Sequence, residues 1–179
     1  MSDRAGAGPR RRLVVLRHAK SAWPDGVPDH ERPLAPRGRR DAPAAGRALA
    51  AADCLPDLAL CSTAVRARQT WDLAAAQWAT HARVRHDPRL YAADVPTLLT
   101  AVHEAPPDVG TLLLVGHNPG LEDLVLALAG DGADDTLARL RTKFPTSALA
   151  VLTWYGTTWR ALLPGTALLT RFEVPRGEK

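Results

Sequence analysis

Cysteine is scarce: the 179 residues contain two, Cys54 and Cys61, seven positions apart and in no CxxC pair. That excludes a disulfide framework and a thiolate zinc cluster. With no secretory leader to route the chain outward, the expectation is a reduced, cytoplasmic protein. Long apolar runs are absent too. The first, Leu13 to Leu16, is far below the about 20 residues that a bilayer requires, so no membrane partner is expected.

Nucleotide-binding signatures are missing as well. Gly6-Ala7-Gly8 is followed by Pro9-Arg10-Arg11, without the third glycine or the preceding strand of a dinucleotide fingerprint, and no Walker-type glycine-lysine loop occurs. His30, His81, His86 and His103 have no metal-ligand spacing and read as surface residues. Asp131, Asp134 and Asp135 crowd a glycine-containing loop without the alternating order of a calcium loop. A formal charge of +4 comes from scattered basic residues, apart from Arg10, Arg11 and Arg12. A nucleic-acid partner is therefore not expected, whereas an anionic substrate is compatible.

What is present is ordinary globular composition, 46% hydrophobic and 23% charged, in a chain long enough for one core. There is no internal repeat. Residues 1–11 are expected as a disordered lead-in and 12–179 as a single domain. Leu13-Val14-Val15-Leu16 reads as a strand buried on both faces, ending in Arg17-His18. Turn chemistry from Trp23 to Pro28 then overhangs that strand before a helix over about 37–52. A second strand over 58–61 leads to Ser62 or Thr63 as the cap of a helix carrying Ala67, Trp71, Ala74 and Trp78. A strand over 83–87 and a helix marked by Val95, Leu98, Leu99 and Val102 repeat the rhythm. Thr111 to Val115, Gly116-His117-Asn118 and a helix with Pro119 in its first turn repeat it again. Residues 148–154 and 159–163 around Tyr155-Gly156-Thr157-Thr158 read as a terminal hairpin. The predicted fold is α/β: a three-layer α/β/α sandwich with a mostly parallel central sheet and a C-terminal antiparallel hairpin.

Ligands bind such sheets outside the carboxyl ends of the strands. Three polar clusters fall there: Arg17-His18, Ser62 to Arg66, and His117-Asn118. A neutral imidazole can attack phosphorus directly, so His18 needs no separate base to be a nucleophile. The planar forks of Arg17 and Arg66 match phosphate oxygens, and His117 beside a dianion can donate to an equatorial oxygen. Lys20, Ser21 and Asn118 are candidate substrate-binding residues. Arg68 shares a helix with Arg66 but lies about 200 degrees around it and reads as structural. Cys61 ends an apolar strand and reads as a buried structural thiol.

Leu16-Arg17-His18-Ala19-Lys20-Ser21 resembles the RHG-type signature of the histidine phosphatase superfamily, in its SixA-like phosphohistidine phosphatase branch, with Ala19 in place of the glycine. Three further blocks match that branch: Arg32-Pro33-Leu34 with Arg37-Gly38, Ser62 through Thr70, and Val115 through Gly120. The resemblance implies the phosphoglycerate mutase-like fold, His18 as phosphoryl acceptor, Arg17 and Arg66 as phosphate ligands, and His117 as the second pocket histidine. It implies no metal or organic cofactor. The family's general acid transfers to Asp94, with Asp25 or Asp29 of the overhanging loop as substitutes. The implied activity is a phosphatase working through phospho-His18, on phosphohistidine in proteins. A small-molecule phosphomonoesterase acting on a nucleotide or sugar phosphate, and a non-catalytic phospholigand-binding protein, are the alternatives.

Overall fold

The computed structural model describes residues 8–179. The elements are β1 (Arg10–Arg17), α1 (Pro36–Ala51), β2 (Leu58–Ser62), α2 (Val65–Ala75), β3 (Arg83–Asp87), α3 (Val95–His103), β4 (Thr111–Gly116), α4 (Gly120–Leu128), β5 (Ala129–Gly132), α5 (Thr136–Thr142), β6 (Leu149–Tyr155) and β7 (Ala167–Glu173). They form one seven-stranded sheet in the order β3-β2-β4-β1-β6-β7-β5. Four of its six neighbour pairings are parallel, and those of β6 with β1 and with β7 are antiparallel.

The continuous apolar runs follow from burial on both faces. Leu13, Val15, Leu60, Leu112 and Leu114 pack with Leu98, Val102, Leu121 and Val125 of α3 and α4. Their sequence neighbours Val14, Leu16, Cys61, Leu113 and Val115 pack on the other face with Leu49, Ala67 and Trp71 of α1 and α2. This is the period-2 alternation of a strand applied to a sheet with helices above and below. The three-layer α/β architecture is as expected.

Three boundaries differ from the sequence reading. Residues 1–7 of the expected lead-in lie outside the described residues, but Arg10 and Arg11 belong to β1. Arg11 is buried because its guanidinium and Nε donate to the carbonyls of Val109, Pro107, Gly156 and Thr157, which neutralises the cost of taking the side chain out of water. The final hairpin uses Ala167–Glu173 as its second strand, while Trp159–Ala161 is a single 3-10 turn. Trp159 explains the shift: fully buried, it packs edge-on against Trp154 and its Nε1 donates to Val109 O at 2.8 Å, so it serves as a plug under the sheet and not as a strand residue. The aspartate-rich loop also contributes Ala129–Gly132 as a short edge strand parallel to β7.

One glycine shapes the loop that carries the site. A Cβ on Gly38, in the first turns of α1, would lie 2.1 Å from the Lys20 carbonyl oxygen. Only glycine lets α1 approach the His18–Lys20 segment this closely, which accounts for the Arg37-Gly38 pair by packing.

Candidate active site

Main-chain register brings the two histidines together. In the parallel β1–β4 ladder Arg17 is opposite Gly116, and His18 N donates to Gly116 O at 3.0 Å. The residues that follow, His18 and His117, therefore leave the sheet side by side, with ring centroids 5.1 Å apart. Because β4 also pairs with β2 on its other edge, Ser62 at the end of β2 reaches His117 from the opposite side. Its Oγ lies 2.7 Å from His117 Nε2. Arg66 enters from the first turn of α2 and is buried.

The tautomer of His18 follows from its partner. Nδ1 lies 2.8 Å from Ala19 O. A carbonyl only accepts, so Nδ1 carries the proton and Nε2 keeps its lone pair. Arg66 Nε approaches that lone pair at 3.4 Å. Burial, and then the charges of His117, Arg66 and Arg17, push the His18 pKa down to about 3 despite the Ala19 bond. Burial and Arg66 push His117 down to about 4. Both rings are neutral near pH 7, as a nucleophilic imidazole requires.

The arginines are held differently. Arg17 Nη1 donates to Phe144 O at 2.9 Å, while its buried Nε has no partner among the described residues. Arg66 is clamped by Asp29: Nη1 donates to Asp29 O at 2.6 Å and Nη2 pairs with the carboxylate at 3.1 Å. The same carboxylate accepts from Tyr91 Oη and pairs with Arg32 Nε at 3.0 Å. Arg32 in turn lies 3.5 Å beneath the exposed ring of Trp23. The overhanging loop is thus tied to Arg66 through one acid.

Some sequence-predicted residues have other employment. Asp94 caps α3, accepting from Thr97 N at 3.0 Å, and its hydrogen bonds to Thr97 lower its pKa. That leaves it ionised near neutral pH in the unliganded site. Asp29, one of the two substitutes, is also held well below the usual carboxylate range, by the Tyr91 hydroxyl first and then by Arg66. Asp25 is exposed in the loop. Ser21 is buried and accepts from Arg32 Nη1 at 2.9 Å, bracing the loop. Lys20 is exposed. Asn118 Nδ2 donates to Phe144 O, the acceptor shared with Arg17, and to Glu122, which ties α4 to the Arg17 side of the pocket. Cys61 is buried as expected, and burial raises its thiol pKa to about 12.

Tyr91, His30 and Ser62 carry more of the site than the sequence indicated. Tyr91 meets His117 edge-on at 5.5 Å and His30 at 4.8 Å. His30, expected at the surface, is partly buried and bonds Thr63 Oγ1 at 2.8 Å. Ser62, expected as a helix cap, instead accepts from Ala64 N one residue before α2. The signal available for Ser62 was its place at a strand end beside the Arg66 cluster; nothing local marks Tyr91 or His30.

Beside His117 a cavity of about 530 Å³ opens between the Ala92–Pro96 segment and the start of α4. Asp94 and Asp123 lie on its wall, and no lysine or arginine does. Among the described residues no cluster of His, Cys, Asp and Glu could hold a metal ion, and no helix is long and apolar enough to cross a membrane.

Comparison with known proteins fits this geometry. The profile of the histidine phosphatase superfamily, branch 1, matches residues 13–98. A Mycobacterium tuberculosis protein without an assigned function is 47% identical over 163 residues, covering 90% of this chain and all of that one. The structure of a candidate phosphohistidine phosphatase SixA from Nakamurella multipartitia superposes with a TM-score of 0.83 at 33% identity, over 94% of this chain and 98% of that one. The structure of the protein histidine phosphatase SixA complexed with tungstate shares the fold, with a TM-score of 0.73 at 22% identity over 92% of this chain and 97% of that one. The match to the superfamily profile and the 33% identity to the Nakamurella protein over nearly its whole length, on a fold that sets His18 beside His117, establish that the chain belongs to the histidine phosphatase superfamily.

Proposed function

We propose that the protein is a metal-independent phosphatase that takes a phosphoryl group onto His18 Nε2 and then hydrolyses the phospho-His18 with water, acting on phosphohistidine in proteins. The observation that carries this reading is the grouping of a neutral His18, unprotonated at Nε2, with Arg66 at 3.4 Å, Arg17 and a second histidine. Arg17 Nε and His117 Nδ1 are both buried there without a partner among the described residues. Buried polar atoms cost free energy unless bonded, and a phosphoryl group supplies the missing acceptor oxygens. The tungstate held by the neighbouring SixA is a tetrahedral oxyanion of the kind such a cradle suits.

In the first step the His18 N–P bond forms as the bond from phosphorus to the leaving group breaks. Arg17, Arg66 and His117 stabilise the oxygens, where fixed donors in a dry site act most strongly. Asp94 and Asp29 are ionised in the unliganded site, so proton donation to a strongly basic alkoxide is poorly served. A phosphohistidine already protonated on its second ring nitrogen leaves as a neutral imidazole and takes no proton from the enzyme. The cavity beside His117, walled by Asp94 and Asp123, further disfavours carriers with additional anionic groups, such as nucleoside polyphosphates.

Acid-labile phosphate should be trapped on the protein when turnover of a labelled phosphodonor is quenched in alkali, and peptide mapping should locate it at His18. Label at another residue, or none during active turnover, contradicts the mechanism. Asp94→Asn should slow turnover of a phosphohistidine protein by less than about threefold, since the general-acid contribution of 10² or more is not assigned to it. A loss of about a hundredfold would restore Asp94 as the acid.

A further inference from the structure

We propose that Ser62 is a positioning residue that holds His117 in the tautomer bearing its proton on Nδ1, so that this nitrogen stays a hydrogen-bond donor towards the phosphoryl oxygens. The use made of that donor rests on the phosphatase reading; the tautomer does not.

Ser62 is fully buried at the end of β2. Its hydroxyl has two partners among the described residues: it accepts from Ala64 N at 3.2 Å, and it lies 2.7 Å from His117 Nε2. The Ala64 N–H can only donate, so one role of the hydroxyl is settled as acceptor. Its own hydrogen then needs an acceptor, and His117 Nε2 is the one within reach. If Nε2 instead carried the proton, the serine would receive two donors and its hydrogen would be buried without a partner. With Ser62 donating, every hydrogen in the chain Ala64 N–H, Ser62 O–H and His117 is used except one. That one is on Nδ1, the ring nitrogen that is buried and has no partner among the described residues.

A neutral histidine left to itself prefers its proton on Nε2, so the serine reverses an intrinsic preference. The partner of one ring nitrogen setting the state of the other is the general rule for functional histidines. The two opposed rings then share a tautomer but serve opposite purposes. His18, bonded through Nδ1 to Ala19 O, presents a bare Nε2 to phosphorus. His117, bonded through Nε2 to Ser62, presents an N–H to oxygen. No proton changes hands at His117; it acts as a hydrogen-bond donor throughout.

The test is long-range 1H–15N correlation on the full-length protein labelled at histidine, recorded at pH 7.5 to 8 without ligand, with His117 assigned through His117→Gln. His117 is expected in the Nδ1–H form. In Ser62→Ala the signal should move to the Nε2–H form or to a mixture, and Ser62→Thr, which keeps the hydroxyl, should retain the native pattern. Turnover of an aryl phosphate should follow the tautomer. Ser62→Ala should lower kcat by about tenfold or more with KM changed by less than about threefold, and Ser62→Thr should recover most of the loss. An Nε2–H signal for His117 in the unsubstituted protein overturns the proposal, as does an unchanged Nδ1–H signal in Ser62→Ala. Should Ser62→Ala fail to fold, the spectrum of the unsubstituted protein decides alone. An Nδ1–H form in a protein with no phosphatase activity on any donor would remove the catalytic reading and leave the positioning claim standing.

Discussion

His18→Ala should abolish steady-state turnover, with a loss of at least about ten-thousandfold, the scale seen when an enzyme loses its covalent nucleophile. The expectation rests on the absence of a substitute at the same place. His117 faces the pocket with its Nε2 occupied by Ser62, and Cys61, the nearest thiol in the chain, is buried with a pKa raised to about 12. Neither can attack phosphorus at neutral pH. The variant should keep its fold, because the ring's Nδ1 bond is to the adjacent Ala19 carbonyl and the strand beneath is held by main-chain pairing. It should also still bind a phosphorylated ligand, since Arg17, Arg66 and His117 are untouched. Equilibrium binding together with a chemical quench separates the outcomes. Binding without phosphoenzyme supports the covalent mechanism, whereas turnover within tenfold of the unsubstituted protein contradicts it and leaves direct attack by water.

Arg66→Ala should lower kcat/KM by about a hundredfold or more, the usual cost of removing one fixed donor from a developing oxyanion. Arg66 has two tasks that fail together. Its Nε stands 3.4 Å from His18 Nε2, and its Nη atoms hold Asp29, which bonds Tyr91 and Arg32. Removal therefore costs a phosphate ligand and loosens the loop above it. Arg66→Lys should recover charge but not the fork that reaches His18 and Asp29 at once, so it should stay at least about tenfold below the unsubstituted protein. Kinetics on a small aryl phosphate and on a phosphohistidine protein provide the check. A lysine variant with full activity on both would show that only net charge matters at this position.

Much of this site could be read from the chain because parallel strands report their own ends. Leu13 to Leu16, Leu58 to Cys61 and Leu112 to Val115 are unbroken apolar runs, and each is followed within two positions by a polar residue at the sheet edge: Arg17, Ser62 and His117. What escaped notice depends on contacts between distant segments. Tyr91 acquires its role from Asp29, 62 positions away, and Ser62 from His117, 55 away. No local periodicity encodes either pairing. The second strand of the terminal hairpin lies beyond residues 159–163 for a related reason. Trp159 has high strand propensity but finds its partners in Trp154 and the Val109 carbonyl, so tertiary packing overrode the local preference. The proton donor is not legible from the chain, because a carboxylate at a helix start is equally suited to capping, and Asp94 caps α3.

The position of β4 between β1 and β2 has a consequence for tolerance. The separation of His18 and His117 is set by carbonyl and amide groups of neighbouring strands, which almost every amino acid carries alike. Away from Gly38 and Arg66, side chains on the covering helices can therefore vary in size and shape without altering the distance between the two rings. The overhanging loop is less free, because its Asp29 holds Arg66. Such a sheet insulates the spacing of the two rings, but not the setting of the arginine beside them, from drift in the surface above.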